Sequence, residues 1–119
     1  VCEDIWFEED DDPIVLQSRG GARLIVTING SPYHAGKLRE REEMVSGLAK
    51  RHGVHTAYVN LVGGQDELVF DGGSMVVAPT GEILAEGVQF AEVPAAGVSV
   101  PKDWSEAPAF FKSLTKKGI

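Results

Sequence analysis

Residues 58 to 74 read Tyr58-Val-Asn-Leu-Val-Gly-Gly-Gln-Asp-Glu-Leu-Val-Phe-Asp-Gly-Gly-Ser74. This segment is long enough to serve as a specific sequence motif. The apolar run Val54 to Val62 predicts a strand, and Gly63-Gly64 predicts the turn that ends it. Residues 74–90, with Pro79-Thr-Gly-Glu82 near their centre, predict a β-hairpin. This part of the chain is therefore expected to be rich in strands.

Working outward toward the amino terminus, strand and helix patterns alternate. The continuous β-branched run Leu24 to Ile28 predicts a strand buried on both faces. Lys37 to about His52 has helical periodicity, and Gly53 is a favourable stop. Residues 14–18 predict a short helix, and residues 1–6 predict the end of a strand. The alternation indicates an α/β fold.

The predicted long helix has two distinct faces. One face is apolar and the other is charged, as expected for a helix that covers a core. The apolar face carries Leu38, Met44, Val45, Leu48 and Ala49, and the charged face carries Arg39, Glu40, Glu42 and Glu43.

Composition narrows the class of protein. A chain of 119 residues, 43% hydrophobic and 24% charged, forms at most one domain, and no apolar run approaches the roughly 18 residues of a membrane span. The net charge of -7 repels phosphate backbones, which argues against nucleic acid as a partner. One cysteine excludes an internal disulfide, and no secretory leader is seen, so we expect a cytoplasmic protein.

Three motifs carry a resemblance to a known family. They are Val1-Cys-Glu-Asp-Ile-Trp6, Ile28-Asn-Gly-Ser-Pro-Tyr-His-Ala-Gly-Lys37 and the segment from Tyr58 to Ser74. Together they resemble the carbon-nitrogen hydrolase (nitrilase) superfamily, and within it the glutaminase domains of glutamine-dependent NAD synthetases. The resemblance covers about residues 1 to 92. It implies a four-layer αββα sandwich, of which this chain would supply only the C-terminal half.

The resemblance also implies roles for individual residues. Cys2 would be the nucleophile that attacks the side-chain amide of glutamine, releasing ammonia and leaving a γ-glutamyl thioester. The backbone N–H of Glu3 would help bind the oxyanion, and Ser31 and Lys37 would hold the amino-acid end of glutamine. Covalent catalysis by a thiolate divides one difficult hydrolysis into two easier steps. A turn serine and a solvated lysine at a helix start are the alternative interpretation of Ser31 and Lys37.

The nucleophile lacks its expected helpers in this sequence. Glu3 and Asp4 oppose ionisation of the Cys2 thiol, because like charges disfavour one another. In the family, a Lys supplies the positive charge, a Glu shuttles protons, and both precede the Cys. Only Val1 precedes Cys2 here, so we expect the 119 residues alone to be inactive.

Other polar residues have simpler interpretations. Asp66, Glu67 and Asp71 could be imagined as a metal site, but closely spaced acids without histidine in a glycine-rich hairpin favour local capping or pairing. The three histidines (His34, His52 and His55) lack zinc-ligand spacing with Cys2, so no metal is expected. Trp6 and Tyr33 either line the pocket near Cys2 or fill the core.

These inferences define one leading function and two alternatives. Residues 1–93 are predicted to be a partial glutaminase domain and residues 94–119 a linker or arm toward a following domain. The expected partners are glutamine, a synthetase domain of the parent chain and further copies in a homo-oligomer. The glutaminase reaction needs no cofactor, whereas ATP and Mg are expected only in the synthetase domain. The alternatives are a stand-alone nitrilase-superfamily amidase and a non-catalytic assembly module.

Overall fold

A mixed four-stranded sheet lies at the centre of the structure, a computed structural model that describes residues 2–6 and 12–91. The strand order in this sheet is β1-β2-β5-β6, and β3 and β4 form a separate hairpin. In chain order the elements are a 3-10 helix (Cys2–Ile5), α1 (Pro13–Arg19), β1 (Leu24–Asn29), α2 (Lys37–His52), β2 (His55–Asn60), β3 (Val62–Gln65), β4 (Leu68–Asp71), β5 (Met75–Val77) and β6 (Ile83–Glu86).

The sheet combines one parallel and two antiparallel pairings. Strands β1 and β2 run parallel, with Leu24 opposite His55 and Asn29 opposite Asn60, and α2 is the crossover between them. Strand β5 pairs antiparallel with both β2 and β6. The predicted hairpin is thus confirmed, although its strands are shorter than the apolar runs that predicted them.

Helix α2 has the predicted bounds. It ends where Gly53 adopts a left-handed conformation with φ 63°, a geometry that glycine adopts at little cost. Lys50, Arg51 and His52 occupy the last turn, where positive charge is favourable near the helix C-terminus. Val45, Leu48 and Ala49 of its apolar face are buried in the core, as predicted.

The amino-terminal segment differs from its prediction. Residues 2–5 form a 3-10 helix rather than the end of a strand. Helix α1 follows, capped by Asp12, whose Oδ1 accepts a hydrogen bond from the Ile14 N–H at 2.9 Å. Since Asp12 and Pro13 are favourable helix-start residues, the short predicted helix was correct and begins slightly earlier than expected.

The glycine-rich segment folds differently in detail. Gly63 and Gly64 lie within β3, so the prediction of a turn there was wrong, and the chain reverses at Asp66 with φ 52°. Where β4 ends, Gly72 has φ 73°, and a Cβ on it would lie 2.6 Å from Val62 Cγ2. Only glycine fits this position, because both the conformation and the space exclude a side chain.

The two faces of the sheet have different environments. Ile25, Tyr58 and Val77 are buried under α1 and α2 and form the core with apolar residues of both helices. On the opposite face Val26 is 56% exposed and Ile28 is 72% exposed. The prediction that β1 is buried on both faces is therefore wrong for the described residues, because helices cover only one face of this sheet.

Candidate functional site

The predicted substrate residues lie where the parallel strands end. Ser31 follows the carboxyl end of β1, and Asn60 is the last residue of β2. Ligands of α/β sheets commonly bind beyond these strand ends. Asn60 joins the surrounding loops, because its Oδ1 accepts from the Ser31 N–H at 2.9 Å and its Nδ2 donates to the Gly72 carbonyl at 2.9 Å. Three segments of the chain are thereby fixed around one point.

Arg41 is the central side chain of this cluster, and it is fully buried. Its Nη1 donates to both carboxylate oxygens of Asp71, at 2.7 and 2.8 Å. Its Nη2 donates to the carbonyl oxygens of Ser31 at 2.8 Å and Pro32 at 3.1 Å. A buried ion pair is tolerated only when such partners replace the lost water, and Arg41 has them.

Asp71 is the matching carboxylate and is also fully buried. Its Oδ2 additionally accepts from Gln89 Nε2 at 2.6 Å. Burial alone raises the pKa of the Asp71 carboxyl, but the hydrogen bonds from Gln89 and Arg41, with the Arg41 charge, outweigh it. Its pKa therefore lies below the ordinary value of 3.8, and Asp71 is ionised at neutral pH.

Ser31 is 3% exposed, and its hydroxyl faces Arg41. The Ser31 Oγ accepts from Arg41 Nε at 3.3 Å and from Nη2 at 3.2 Å. The structure thus gives Ser31 charged neighbours and a fixed environment, unlike a solvated turn serine.

Lys37 lies at the start of α2 with a different set of contacts. Its Nζ is 4.0 Å from the centroid of the Trp6 ring and 3.2 Å from Glu40 Oε2. Such a cation–π contact restrains the ammonium without neutralising it. The Lys37 side chain is 17% exposed and its Glu40 partner is 52% exposed, so this ion pair lies at the edge of the buried cluster.

The Trp6 contact also connects Lys37 to the segment that contains the predicted nucleophile. Trp6 directly follows the 3-10 helix that begins at Cys2, and it packs against the hydrophobic core. The segment with the predicted nucleophile and a predicted substrate residue therefore meet through one aromatic ring. The side chains of Cys2 and Glu3 themselves lie outside what the structure describes, as do residues 94–119 of the predicted linker.

The other candidate residues named from the sequence are two aromatic residues and three acidic ones. Tyr33 is 43% exposed and packs edge-on against Phe90 with ring centroids 5.1 Å apart, whereas Trp6 is partly buried. Of the acidic loop, Asp66 and Glu67 are exposed and Asp71 pairs with Arg41. Within residues 2–6 and 12–91, no group of three His, Cys, Asp or Glu side chains could hold a metal.

Comparison with known proteins shows the family. The carbon-nitrogen hydrolase family profile matches residues 1–101. The chain belongs to the carbon-nitrogen hydrolase family. A curated relative, the glutamine-dependent NAD(+) synthetase of Aquifex aeolicus, is 46% identical over 92 residues, which are 77% of this chain and 16% of that protein. The chain thus spans about one sixth of the length of that relative.

Solved structures of this hydrolase family share the fold. The glutamine-dependent NAD+ synthetase of Acinetobacter baumannii matches with a TM-score of 0.71 and 39% identity, over 77% of this chain and 17% of that one. A Nesterenkonia amidase from the nitrilase superfamily matches with a TM-score of 0.57 and 29% identity, over 73% of this chain and 31% of that one. These matches confirm the predicted α/β nitrilase-like fold and its partial character. None of the described helices could cross a membrane.

The sequence interpretation missed Arg41 and Asn60. Arg41 stands four and seven residues before Val45 and Leu48, which places it on the apolar stripe of α2. A charged residue on such a stripe requires a buried partner, and that signal was present in the sequence. Asn60 ends an apolar strand with a polar side chain, which is a weaker signal.

Proposed function

We propose that this chain is part of the glutaminase domain of a glutamine-dependent NAD synthetase and that Cys2 is its nucleophile. The observation that carries the proposal is the match of residues 1–101 to carbon-nitrogen hydrolases, together with the similarity to the glutamine-dependent NAD(+) synthetase of Aquifex aeolicus. The contacts of Ser31 and Lys37 at the strand ends support a binding site there.

The chemistry follows from the nucleophile. The Cys2 thiolate attacks the side-chain carbonyl carbon of glutamine, the carbon–nitrogen bond breaks, and a proton joins the departing amino group to give ammonia. Water then attacks the thioester carbon, which releases glutamate and returns the thiol. Ser31 and Lys37 hold the amino-acid end, and the backbone N–H of Glu3 donates to the oxyanion. One such donor is worth about 3 to 4 kcal/mol of barrier lowering.

We also propose that the preceding half of the sandwich covers the open face of the sheet. The exposed apolar side chains Val26, Ile28 and Val59 support this, since a contiguous apolar surface on a folded domain needs a partner. A groove of about 830 Å³ follows this face and reaches Asn29, Asn60 and Ser74. The catalytic Glu and Lys of the family would enter from that half and supply the base and the cation that Cys2 needs.

The ammonia would pass to a synthetase domain that uses ATP and Mg to amidate nicotinic acid adenine dinucleotide. The relatives named as NAD(+) synthetases support this assignment, because their chains extend well beyond the matched region. We also propose that the parent protein is a cytoplasmic homo-oligomer.

Two other functions have support from single observations. The Nesterenkonia match favours a stand-alone amidase that acts on another amide. The open apolar face favours an assembly module without catalysis. In neither of these two functions would ammonia from glutamine be transferred to a second substrate.

The test uses the full-length protein and two nitrogen sources. We expect Cys2→Ala to abolish ammonia release from glutamine and glutamine-dependent NAD formation, while NAD formation from added ammonium chloride continues. The matched control is Ser18→Ala, because that hydroxyl lies on α1 and donates only to the Val15 carbonyl. Normal glutamine hydrolysis by Cys2→Ala would contradict the nucleophile, and a wild type that hydrolyses only other amides would favour the stand-alone amidase.

A further inference from the structure

Three exposed apolar side chains, Tyr33, Val69 and Phe90, lie on neighbouring segments beside the candidate site, and we call them the aromatic patch. Their exposed fractions are 43%, 48% and 55%. The Tyr33 N–H donates to the Val69 carbonyl at 2.7 Å, and the Tyr33 ring packs edge-on against Phe90 with ring centroids 5.1 Å apart. The patch is therefore assembled from three separate parts of the chain.

The backbone holds Phe90 in its exposed position. Its φ is 59°, a left-handed conformation that is rare for a bulky side chain. Its N–H donates to the Asp71 carbonyl at 2.7 Å, and the preceding residue, Gln89, donates to the Asp71 carboxylate at 2.6 Å. The fold thus keeps an unfavourable backbone conformation that presents an aromatic ring to solvent. Strain of this kind is concentrated at functional surfaces.

The aromatic patch is distinct from the open face of the sheet. Within residues 2–6 and 12–91, the groove along that face is lined by residues such as Ile28, Val59 and Val76, and the three patch residues are not among them. The preceding half of the sandwich, proposed above to cover the open face, therefore does not account for the patch. The patch needs an occupant of its own.

The chain itself contains a segment of complementary composition. The hydrolase family profile ends at residue 101, and the segment after it, residues 102–119, is rich in large apolar side chains. These are Trp104, Phe110, Phe111 and Leu114. Four of the chain's 11 basic residues lie in this segment, but only two of its 18 acidic residues do. The segment is therefore positive, whereas the rest of the chain is strongly negative.

The surroundings of the patch match this composition. Asp66 and Glu67 are exposed at the turn between β3 and β4, close in sequence to Val69. In the segment, Lys112 directly follows the two phenylalanines. Two aromatic rings next to an ammonium suit an apolar patch next to two carboxylates, because complementary charges select and orient a partner.

We propose that residues 102–119 bind the aromatic patch of the same chain, with the two phenylalanines on the patch and Lys112 beside the acidic turn. The chain passes from Phe90 to Ala91 at the patch, so the segment is tethered there. Tethering gives effective concentrations of about millimolar, which favours binding within one chain over binding between copies. A segment outside the family profile would then lie beside the candidate site.

Photo-crosslinking in the full-length protein tests this contact. Phe110→p-benzoylphenylalanine places a photoreactive ring on the segment, and mass spectrometry identifies the peptides that it joins. We expect cross-links to the peptides that contain the three patch residues. An equal mixture of isotopically labelled and unlabelled protein separates contact within one chain from contact between copies. We expect both peptides of each cross-linked pair to carry the same label.

Two variants weaken the contact from its two sides. Val69→Asp puts a carboxylate into the patch, and we expect it to lower the cross-link yield at least about 5-fold, since burying an unpaired charge is costly. Phe111→Ser should have a similar effect without altering the described part of the fold. Asp66→Lys should lower the yield only about 2-fold, because an exposed ion pair contributes little.

The matched control is Leu16→Asp, which changes an apolar side chain of α1 that is 54% exposed and should leave the yield unaltered. Cross-links confined to peptides outside the patch, or pairs of mixed label, would overturn the inference. So would a yield that neither Val69→Asp nor Phe111→Ser lowers. Because the measurement is a covalent join and not an activity, failure of the proposed glutaminase function would leave this inference standing.

Discussion

Two neighbouring residues of α2, Arg41 and Glu42, each lie near a carboxyl group, but one contact is attractive and the other is repulsive. Arg41 meets Asp71 at the end of β4, and the pKa of that carboxyl lies below 3.8. Glu42 lies near Glu86 at the end of β6, where burial first and the Glu42 charge second raise the pKa of Glu86 above 4.5. One helix thus makes a complementary contact and a like-charge contact one residue apart.

The two contacts have opposite effects on the stability of the fold. The Arg41 pair fixes the loop that contains Ser31, because the same guanidinium that binds Asp71 also donates to the carbonyl oxygens of Ser31 and Pro32. The Glu86 carboxyl is half-buried, and its Oε1 has no hydrogen-bond partner among the described residues. The first contact stabilises the candidate site, and the second costs stability at neutral pH.

The largest effect should come from breaking the complementary pair. Arg41→Met removes the cation and leaves the Asp71 carboxylate buried without a partner, which costs about 3 to 5 kcal/mol. Hydrogen exchange of α2 amides in the full-length protein measures this loss locally. Exchange protection of α2 equal to wild type at pH 7 would show that the pair contributes no stability.

A smaller effect is expected when the charge of Asp71 is removed and its shape is kept. Because the folded pKa of Asp71 is depressed, its stabilisation is present above about pH 3.8 and is lost as pH falls through the lower folded pKa. Asp71→Asn should cost about 1.5 to 3 kcal/mol at pH 7 and should remove this acid dependence. Unfolding followed from pH 6 to 2.5 tests it, and an unchanged acid profile would contradict the assignment.

The smallest effect has the opposite sign. The raised pKa of Glu86 means that its stabilising protonated form persists at low pH and is lost as pH rises from 4.5 through the folded pKa. Glu86→Gln should therefore stabilise the protein at pH 7 by less than about 1 kcal/mol, because the group is partly exposed. The gain should vanish near pH 4 in thermal unfolding. A gain that is constant with pH would instead indicate better packing of the amide.

The sequence predicted the regular elements well where a single local signal was sufficient. Gly53 and the apolar stripe of α2 determined that helix, and the Pro79 to Glu82 turn determined the hairpin. The 3-10 helix at Cys2–Ile5 was missed, because a short apolar segment fits a strand equally well. The exposed face of β1 was missed because periodicity shows that a residue is apolar and not which surface covers it.

The candidate site was predictable only in part. Cys2, Ser31 and Lys37 came from resemblance, and their roles remain predictions. The pairing of Arg41 with Asp71 joins residues 30 positions apart, so no local pattern revealed it. Trp6 was considered as pocket or core, and its contact with Lys37 depends on the tertiary arrangement.

The left-handed glycine after Asp71 has a consequence for anyone who varies this protein. Gly72 has no room for a Cβ, and Gly73, with φ 65°, would place one 3.0 Å from Leu38 Cδ1. Saturation libraries should therefore hold these two codons constant and diversify exposed Val69 instead, which is 48% exposed. A smaller residue at position 62 would remove the clash with an alanine at position 72 but not the strain of its positive φ, so such double variants should still be less stable than the wild type.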